Sequence, residues 1–405
     1  MNEHLIVKSF GPVKDLDITF KKVTLFIGDQ GTGKSCVAKL FSMFKWLEKD
    51  LVMKRHAISF YLRYGISKLL EYHGIDTFIH DDTWIYYNSP VLTLKIKRNV
   101  FIKLSIHEQN IPIYLLPKIM YVPAERMILS VAENKPKLIK ELPASCATFN
   151  EEFLEAKKYF KEGYDLPFDN LHFKFDTLNF VSKIWGDGYE DSPVLLRNSS
   201  SGIQSALPLC IVSEFMTKRI QEGNNVLLSE KDYNRLSKEI DEIQNNDEYS
   251  EIVKRFLLKN ISLRTQYRSF INIVEEPELN LFPQSQFNVL CSLIKDTADN
   301  NQLILTTHSP YSLATLNTLI LAAKVYEKAR NDDKDEIEKI IPSYYHLAGE
   351  DIAAFRLSLK DDKYFESIIN ENTGMISKND LDACSDEISK KFNQLYQLYA
   401  KIIKR

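Results

Sequence analysis

Residues 28–35 read Gly28-Asp29-Gln30-Gly31-Thr32-Gly33-Lys34-Ser35, a complete match to G-x-x-x-x-G-K-[ST]. Glycines at these positions let successive backbone N–H groups curl around phosphate oxygens, and a helix beginning at the lysine adds the positive end of its dipole. The flanking sequence fits that reading. Residues 23–27 form an uninterrupted apolar run, as a strand buried on both faces requires. Beyond the loop, Val37, Leu40, Phe41, Phe44 and Trp46 recur at near-helical spacing. Strand, loop and helix in this order mark a P-loop. Lys34 is expected at the β- and γ-phosphates and Ser35 on Mg2+, with Asp29, Gln30, Thr32 and Cys36 completing the segment that contacts the nucleotide.

Working outward, residues 5–7 are a short apolar run ended by the Phe10-Gly11-Pro12 breaker, and residues 13–20 alternate apolar and polar as a half-buried strand does. Further strands are expected over 83–87, 91–96, 100–106 and 119–122. From about 130 to 265 the pattern changes to long charged helical segments, such as 150–160 and 229–243, with few strand signals. Strands resume over 270–274 and 302–306, with another candidate over 351–359 and an amphipathic helix over 379–402. The expected class is therefore α/β, a mixed sheet core with an inserted helical lobe. Residues 1–130 would form the N-terminal part of the core, 131–265 the lobe, and 266–405 the C-terminal part.

Three further motifs carry chemistry. In Phe270-Ile271-Asn272-Ile273-Val274-Glu275-Glu276-Pro277-Glu278 an apolar strand ends in adjacent carboxylates. One acid can hold a metal through water while the next orients or deprotonates an attacking water. By position Glu275 is the metal-side acid and Glu276 the catalytic one. In Leu303-Ile304-Leu305-Thr306-Thr307-His308-Ser309-Pro310 a strand delivers His308 just past its end, about thirty residues after the acids, where it could sense a γ-phosphate. An isolated histidine in that position is ordinarily a structural hydrogen-bonder. Asn198-Ser199-Ser200-Ser201-Gly202-Ile203-Gln204-Ser205 precedes an apolar helix, and small residues at a helix start form an anion site. Any serine-rich cap would look the same.

Taken in this order, the four sites resemble the ABC-type ATPase heads of the SMC, RecF and OLD group. That resemblance implies binding and hydrolysis of ATP with Mg2+, in composite sites formed when two heads meet. The signature of one protomer, here Ser201, Gly202 and Gln204, would cap the γ-phosphate held by the other. Glu275-Glu276-Pro277-Glu278-Leu279-Asn280-Leu281-Phe282-Pro283 and Tyr121-Val122-Pro123-Ala124-Glu125-Arg126 are similar to runs in the OLD-like subgroup. Arg126 has no assigned role there, and a buried ion pair is the equal alternative. Two departures stand out. Glu275 occupies a place where aspartate is usual, and Ile203 replaces a second glycine and is expected to intrude on the capping surface.

The 405 residues are 44% hydrophobic and carry a net charge of −3, which gives nucleic-acid binding no compositional support. Five scattered cysteines form no disulfide framework and fit a reducing cytoplasm. Neither a signal-peptide pattern nor a membrane-length apolar run is present, so a cytoplasmic protein without a membrane partner is expected. Asp361-Asp362 and the Asp380-x-Asp382 pair lack the strand context of a metal-dependent nuclease. The expectation is an ATPase acting on a separate effector, as the ATPase subunits of PARIS- and Septu-type anti-phage systems do. A RecF-like clamp on duplex DNA is the alternative, so nucleic acid remains open as a partner. A basic groove would favour the clamp, and an exposed apolar face away from the nucleotide would favour the effector.

Overall fold

In the computed structural model every residue is described except 1–2, 134, 190–191, 224–229, 264, 299, 361, 378–379 and 404–405. Ser229 and Asn379, expected as helix starts, and Asp361 therefore lie outside the described residues.

Strands β1 (Glu3–Phe10) and β2 (Val13–Phe20) form an antiparallel pair, followed by β3 (Val23–Gly28) and the helix Lys34–Val52. Strands β4 (Ile79–Asn88), β5 (Leu92–Lys97) and β6 (Val100–Ile106) complete an antiparallel sheet in the order β2-β1-β4-β5-β6. After β7 (Pro117–Val122) comes a long excursion that includes the helix Ala144–Tyr159. It also contains a second antiparallel sheet of β8 (Tyr164–Asp165), β9 (Leu171–Asp176), β10 (Val181–Gly186) and β11 (Val194–Leu195). The excursion continues through helices Ser201–Gln221, Glu230–Gln244 and Glu251–Leu263.

This small sheet adds strands to a lobe in which few were expected. Strands β8 and β11 have only two residues each, and β9 and β10 carry polar residues between their apolar ones. Even so, β9 buries Leu171, Phe173 and Phe175 on one face, as a period of two requires.

The chain then returns through β12 (Ser269–Glu275), which pairs in parallel with β7 despite the intervening residues. With β13 (Gln302–Thr306), β14 (Ile352–Leu357) and β15 (Phe365–Ser367) it builds a six-stranded sheet, β15-β14-β3-β13-β12-β7. Five of its strands run parallel and only β15 is antiparallel, the mixed α/β core that was expected. All seven residues of β12 are buried, because sheet and helices cover both faces.

The helix Lys34–Val52 lies between the two large sheets. Val37, Leu40, Phe41 and Phe44 pack with Val7, Leu16, Ile85 and Leu94 on one side and with Phe26, Ile273, Ile304 and Phe355 on the other. Burial on both sides leaves charged residues inside, and each has a partner. Lys45 Nζ meets Glu3 Oε1 at 2.8 Å and Glu48 Oε1 at 2.6 Å, and Tyr61 donates to Asp50 at 2.6 Å. On the far face of the parallel sheet, Leu207, Ile211 and Phe215 of the helix Ser201–Gln221 join Phe149 and Phe153 in the other main core. Because β3, β13 and β12 are parallel neighbours, their carboxyl ends open onto one crevice, where such sheets bind ligands.

Candidate nucleotide site

The loop after β3 has the backbone its glycines permit. Gly28, Gly31 and Gly33 have φ of 143°, 75° and 100°. A Cβ on Gly28 would stand 2.1 Å from the Leu357 carbonyl oxygen, so no other residue fits there without moving β14. Lys34 is buried and donates from Nζ to the carbonyls of Gly28, at 2.9 Å, and Asp29, at 2.8 Å. The ammonium thus closes the loop on itself, and a phosphate would take over from these carbonyls. Burial holds its pKa below the ordinary lysine value, while Glu276 and Asp29 pull the other way.

Asp29 and Gln30 are exposed on the loop, and Asp29 pairs with Lys360 at 2.5 Å, which lowers its pKa. Thr32 donates to the Asp29 carbonyl at 2.8 Å. Cys36 faces inward and its thiol is pushed up to about 11 by burial, so this residue can offer a phosphate only its backbone N–H. Tyr364 donates to the Thr32 carbonyl. Leu357 and Tyr364 thereby seal the back of the loop, a role with no signal in the local sequence.

Strand β13 sits between β3 and β12, and its register places Thr306 beside both Phe26 and Glu275. His308, two residues further on, therefore falls between the P-loop and the acidic strand end. Its Nε2 is 3.8 Å from Glu276 Oε1, and both side chains are about one-third exposed, at 32% and 35%. Burial and the Lys34 charge lower the His308 pKa, which favours the neutral imidazole. Glu276 has a φ of 44°, a left-handed conformation that costs a non-glycine residue on the order of 1 kcal/mol and that aims its side chain off the strand. Glu275 stays buried. Its Oε2 accepts from Ala124 N at 3.3 Å, and its Oε1 has no hydrogen-bond partner.

Two residues without an assigned role in the sequence organise this end of the sheet. Glu278 Oε1 accepts from Thr307 Oγ1 at 2.7 Å and from the His308 amide at 2.8 Å, fixing the turn that carries the histidine. Burial raises its pKa. Arg126 is fully buried and forms no carboxylate ion pair among the described residues. Instead it donates to the carbonyls of Ser205 at 3.0 Å, Pro123 at 3.2 Å, Glu275 at 2.7 Å and Glu276 at 2.7 Å. The only hint was its place in the Tyr121–Arg126 run, since a residue that binds carbonyls leaves no partner visible in sequence.

The signature segment starts the helix Ser201–Gln221, with Ser200 as its N-cap. Ser201 is exposed at the first turn. Ile203 does not intrude on that surface as expected, because its side chain is turned into the core, 4% exposed. Gln204 also points inward and donates to the carbonyls of Arg197 at 3.0 Å and Ser199 at 2.9 Å, so its amide shapes the turn and is not offered to a partner. Gly202 packs within its own chain: a Cβ there would lie 2.8 Å from the Asn280 carbonyl oxygen.

A family model described as an AAA ATPase domain matches residues 86–313, which include the signature segment, the acidic strand end and His308. The chain belongs to this ATPase family. Among solved structures, this AAA-type ATPase is similar to an SMC head bound to the C-terminal winged-helix domain of ScpA, at 11% identity and a TM-score of 0.35. It is also similar to an SMC head domain from Thermotoga maritima, at 11% identity and a TM-score of 0.29. Each match covers 78% of this chain and 91% of the other. Comparison with curated proteins finds no match.

An ATPase of this family uses a nucleotide and, typically, Mg2+. The donor set fits the cation: Ser35 opens the helix behind the loop, and the unpartnered Glu275 Oε1 is the kind of buried acceptor that a hydrated cation satisfies. Among the described residues no cluster of three His, Cys, Asp or Glu forms another candidate metal centre. No helix among them is long and apolar enough to cross a membrane.

Proposed function

We propose that this ATPase hydrolyses ATP in sites shared between two engaged heads, and that engagement controls a separate effector protein in anti-phage defence. The observation that carries the site is the convergence of Lys34, Glu276 and His308 at the ends of three adjacent parallel strands. Lys34 would leave the loop carbonyls for the β- and γ-phosphates, with the amides of residues 28–36 around them. Ser35 and Glu275 would hold Mg2+, which would screen phosphate charge. Glu276 would take the proton of the attacking water, and the neutral His308 would hydrogen-bond the γ-phosphate.

Head-to-head engagement is supported by the start of the Ser201–Gln221 helix, where Ser201 and the backbone of Gly202 could cap a partner's phosphate. Arg126 links that helix to Glu276, so docking at the signature and positioning of the acid are mechanically joined.

For the effector, the supporting observation is an exposed aromatic face. Trp46, Phe60, Leu62, Tyr64 and Tyr72 are each between 38% and 49% exposed, and two of them, Trp46 and Tyr72, border a cleft of about 420 Å3 that Lys49, Lys68 and Lys118 also line. Exposed apolar side chains grouped in this way suit a protein partner.

The test is a plaque assay on cells carrying the gene with its genomic neighbours. Protection that Lys34→Ala and Glu276→Gln both abolish is the expected result. Protection unaffected by either variant contradicts the defence reading, and ATP-dependent, salt-sensitive retention of duplex DNA would replace it with the clamp.

A further inference from the structure

We propose that the C-terminal helix, Asp380–Ile403, pairs antiparallel with the same helix of a second copy of the chain, tethering two ATPase heads without nucleotide. This contact is separate from head engagement and does not rest on it.

Leu381 packs against the main core, but described apolar side chains beyond it face outward. Ile388, Phe392, Leu395, Tyr396 and Tyr399 are 64%, 66%, 66%, 63% and 60% exposed. Five large apolar residues on one face of one helix are far more than scattered surface residues.

Their spacing states what covers them. Leu381, Ile388, Leu395 and Ile402 stand seven apart, and Ser385, Phe392 and Tyr399 interleave as a second series with the same period. Steps alternating between three and four residues keep the stripe on one seam only if the helix supercoils around another helix. Docking on a globular surface would follow a period of 3.6 and drift by about 20° per heptad.

Charge selects the partner and its direction. Residues 380–387 hold four acids (Asp380, Asp382, Asp386, Glu387) and no base, whereas residues 388–401 hold three bases (Lys390, Lys391, Lys401) and no acid. A parallel pair would set acid against acid and base against base within about a Debye length of ~8–10 Å. An antiparallel pair separates the two acidic ends and, with Ile388 beside the partner's Tyr399, sets Asp386 against Lys401 of the partner subunit. In one antiparallel register the described apolar residues of the two series also meet: Ile388 lies beside the partner's Tyr399 and Phe392 beside the partner's Leu395.

Cross-linking without nucleotide tests this. Cys384→Ser, combined with Lys34→Ala to disable head engagement, gives the background; Cys36, Cys146, Cys210 and Cys291 are buried. Ile388→Cys and Tyr399→Cys are introduced singly and together, and the chains are mildly oxidised. Residues eleven apart on one helix lie roughly 16 Å from each other, so a disulfide between them can form only across two chains. The double variant should give a disulfide dimer at least about tenfold more efficiently than either single variant. In sedimentation the uncross-linked background chain should run as a dimer, and Phe392→Asp as a monomer with an unchanged thermal melt. Single variants that cross-link as readily as the double would mean a parallel pair and overturn the proposal. A background chain that sediments as a monomer and never cross-links would equally overturn it, leaving the face to a different protein.

Discussion

Arg126 holds Glu276 by its backbone, donating from Nη2 to the Glu276 carbonyl at 2.7 Å, while Nη1 does the same for Glu275. The guanidinium keeps the proposed catalytic acid in its left-handed conformation without touching its carboxylate. Burial lowers the Arg126 pKa to about 10, so the group stays charged at neutral pH. Arg126→Ala would take one donor from each of four carbonyls, of which those of Pro123 and Glu276 keep the backbone amides of residue 126 and Leu279, and leaving a buried acceptor unsatisfied costs about 1–3 kcal/mol. We expect it to lower unfolding stability by roughly 3 kcal/mol or more and to reduce ATP turnover strongly. Urea denaturation and a steady-state assay read the two effects. Native stability in Arg126→Ala would mean that water replaces the guanidinium and that it organises nothing.

His73 should make stability depend on pH. Burial, with a smaller contribution from Lys39, pushes its imidazole down to about 3, and its Nδ1 has no partner. The unfolded chain, with a histidine pKa of about 6.5, takes up the proton first. Stability is therefore full above about pH 6.5 and is lost as pH falls toward 3, by about 1.4 kcal/mol per unit. Between pH 6.5 and 5 this residue should account for about 2 kcal/mol. Unfolding titrations of the native chain and His73→Phe at both pH values should show a shallower slope in the variant. Equal slopes would assign the pH dependence to other groups.

Sharing of sites between heads is tested at Ser201, because a side chain at Gly202 would strike Asn280 of its own chain and spoil the fold instead. Ser201 is exposed, so Ser201→Arg should fold normally and block the capping surface. Alone it should be nearly inactive, as should Lys34→Ala. Mixed, the two can form one composite site with an intact loop from one chain and an intact signature from the other. Partial recovery of turnover is expected. Full activity of Ser201→Arg by itself would mean that each head works alone.

How much of this could be read from the sequence depended on where the interactions lie. The P-loop was legible because its backbone demands glycine at fixed positions, and the acidic strand end because the mostly apolar run Phe270–Val274 ends in charge. Five of the six core strands followed from apolar runs, whereas β15, three residues long, was not expected. The sheet of β8–β11 did not, since β9 and β10 carry polar residues between their apolar ones and β8 and β11 have only two residues each. Ile203 and Gln204 were placed on the capping surface by alignment of type alone. A helix turns adjacent residues to different faces, and here both turn inward. The contacts of Arg126, Tyr364 and Leu357 with the site are made largely through backbone carbonyls from distant segments, which no local pattern announces.

The central claim is that the loop after β3 and the acid after β12 form one ATP-hydrolysing site, and the turnover of Glu276→Gln tests it most directly. The amide is isosteric but cannot accept the water's proton, so ATP affinity should persist while hydrolysis at saturating Mg·ATP falls by about 100-fold or more. A rate within about twofold of the native chain, with ATP still bound, would contradict the account by showing that Glu276 is not the base.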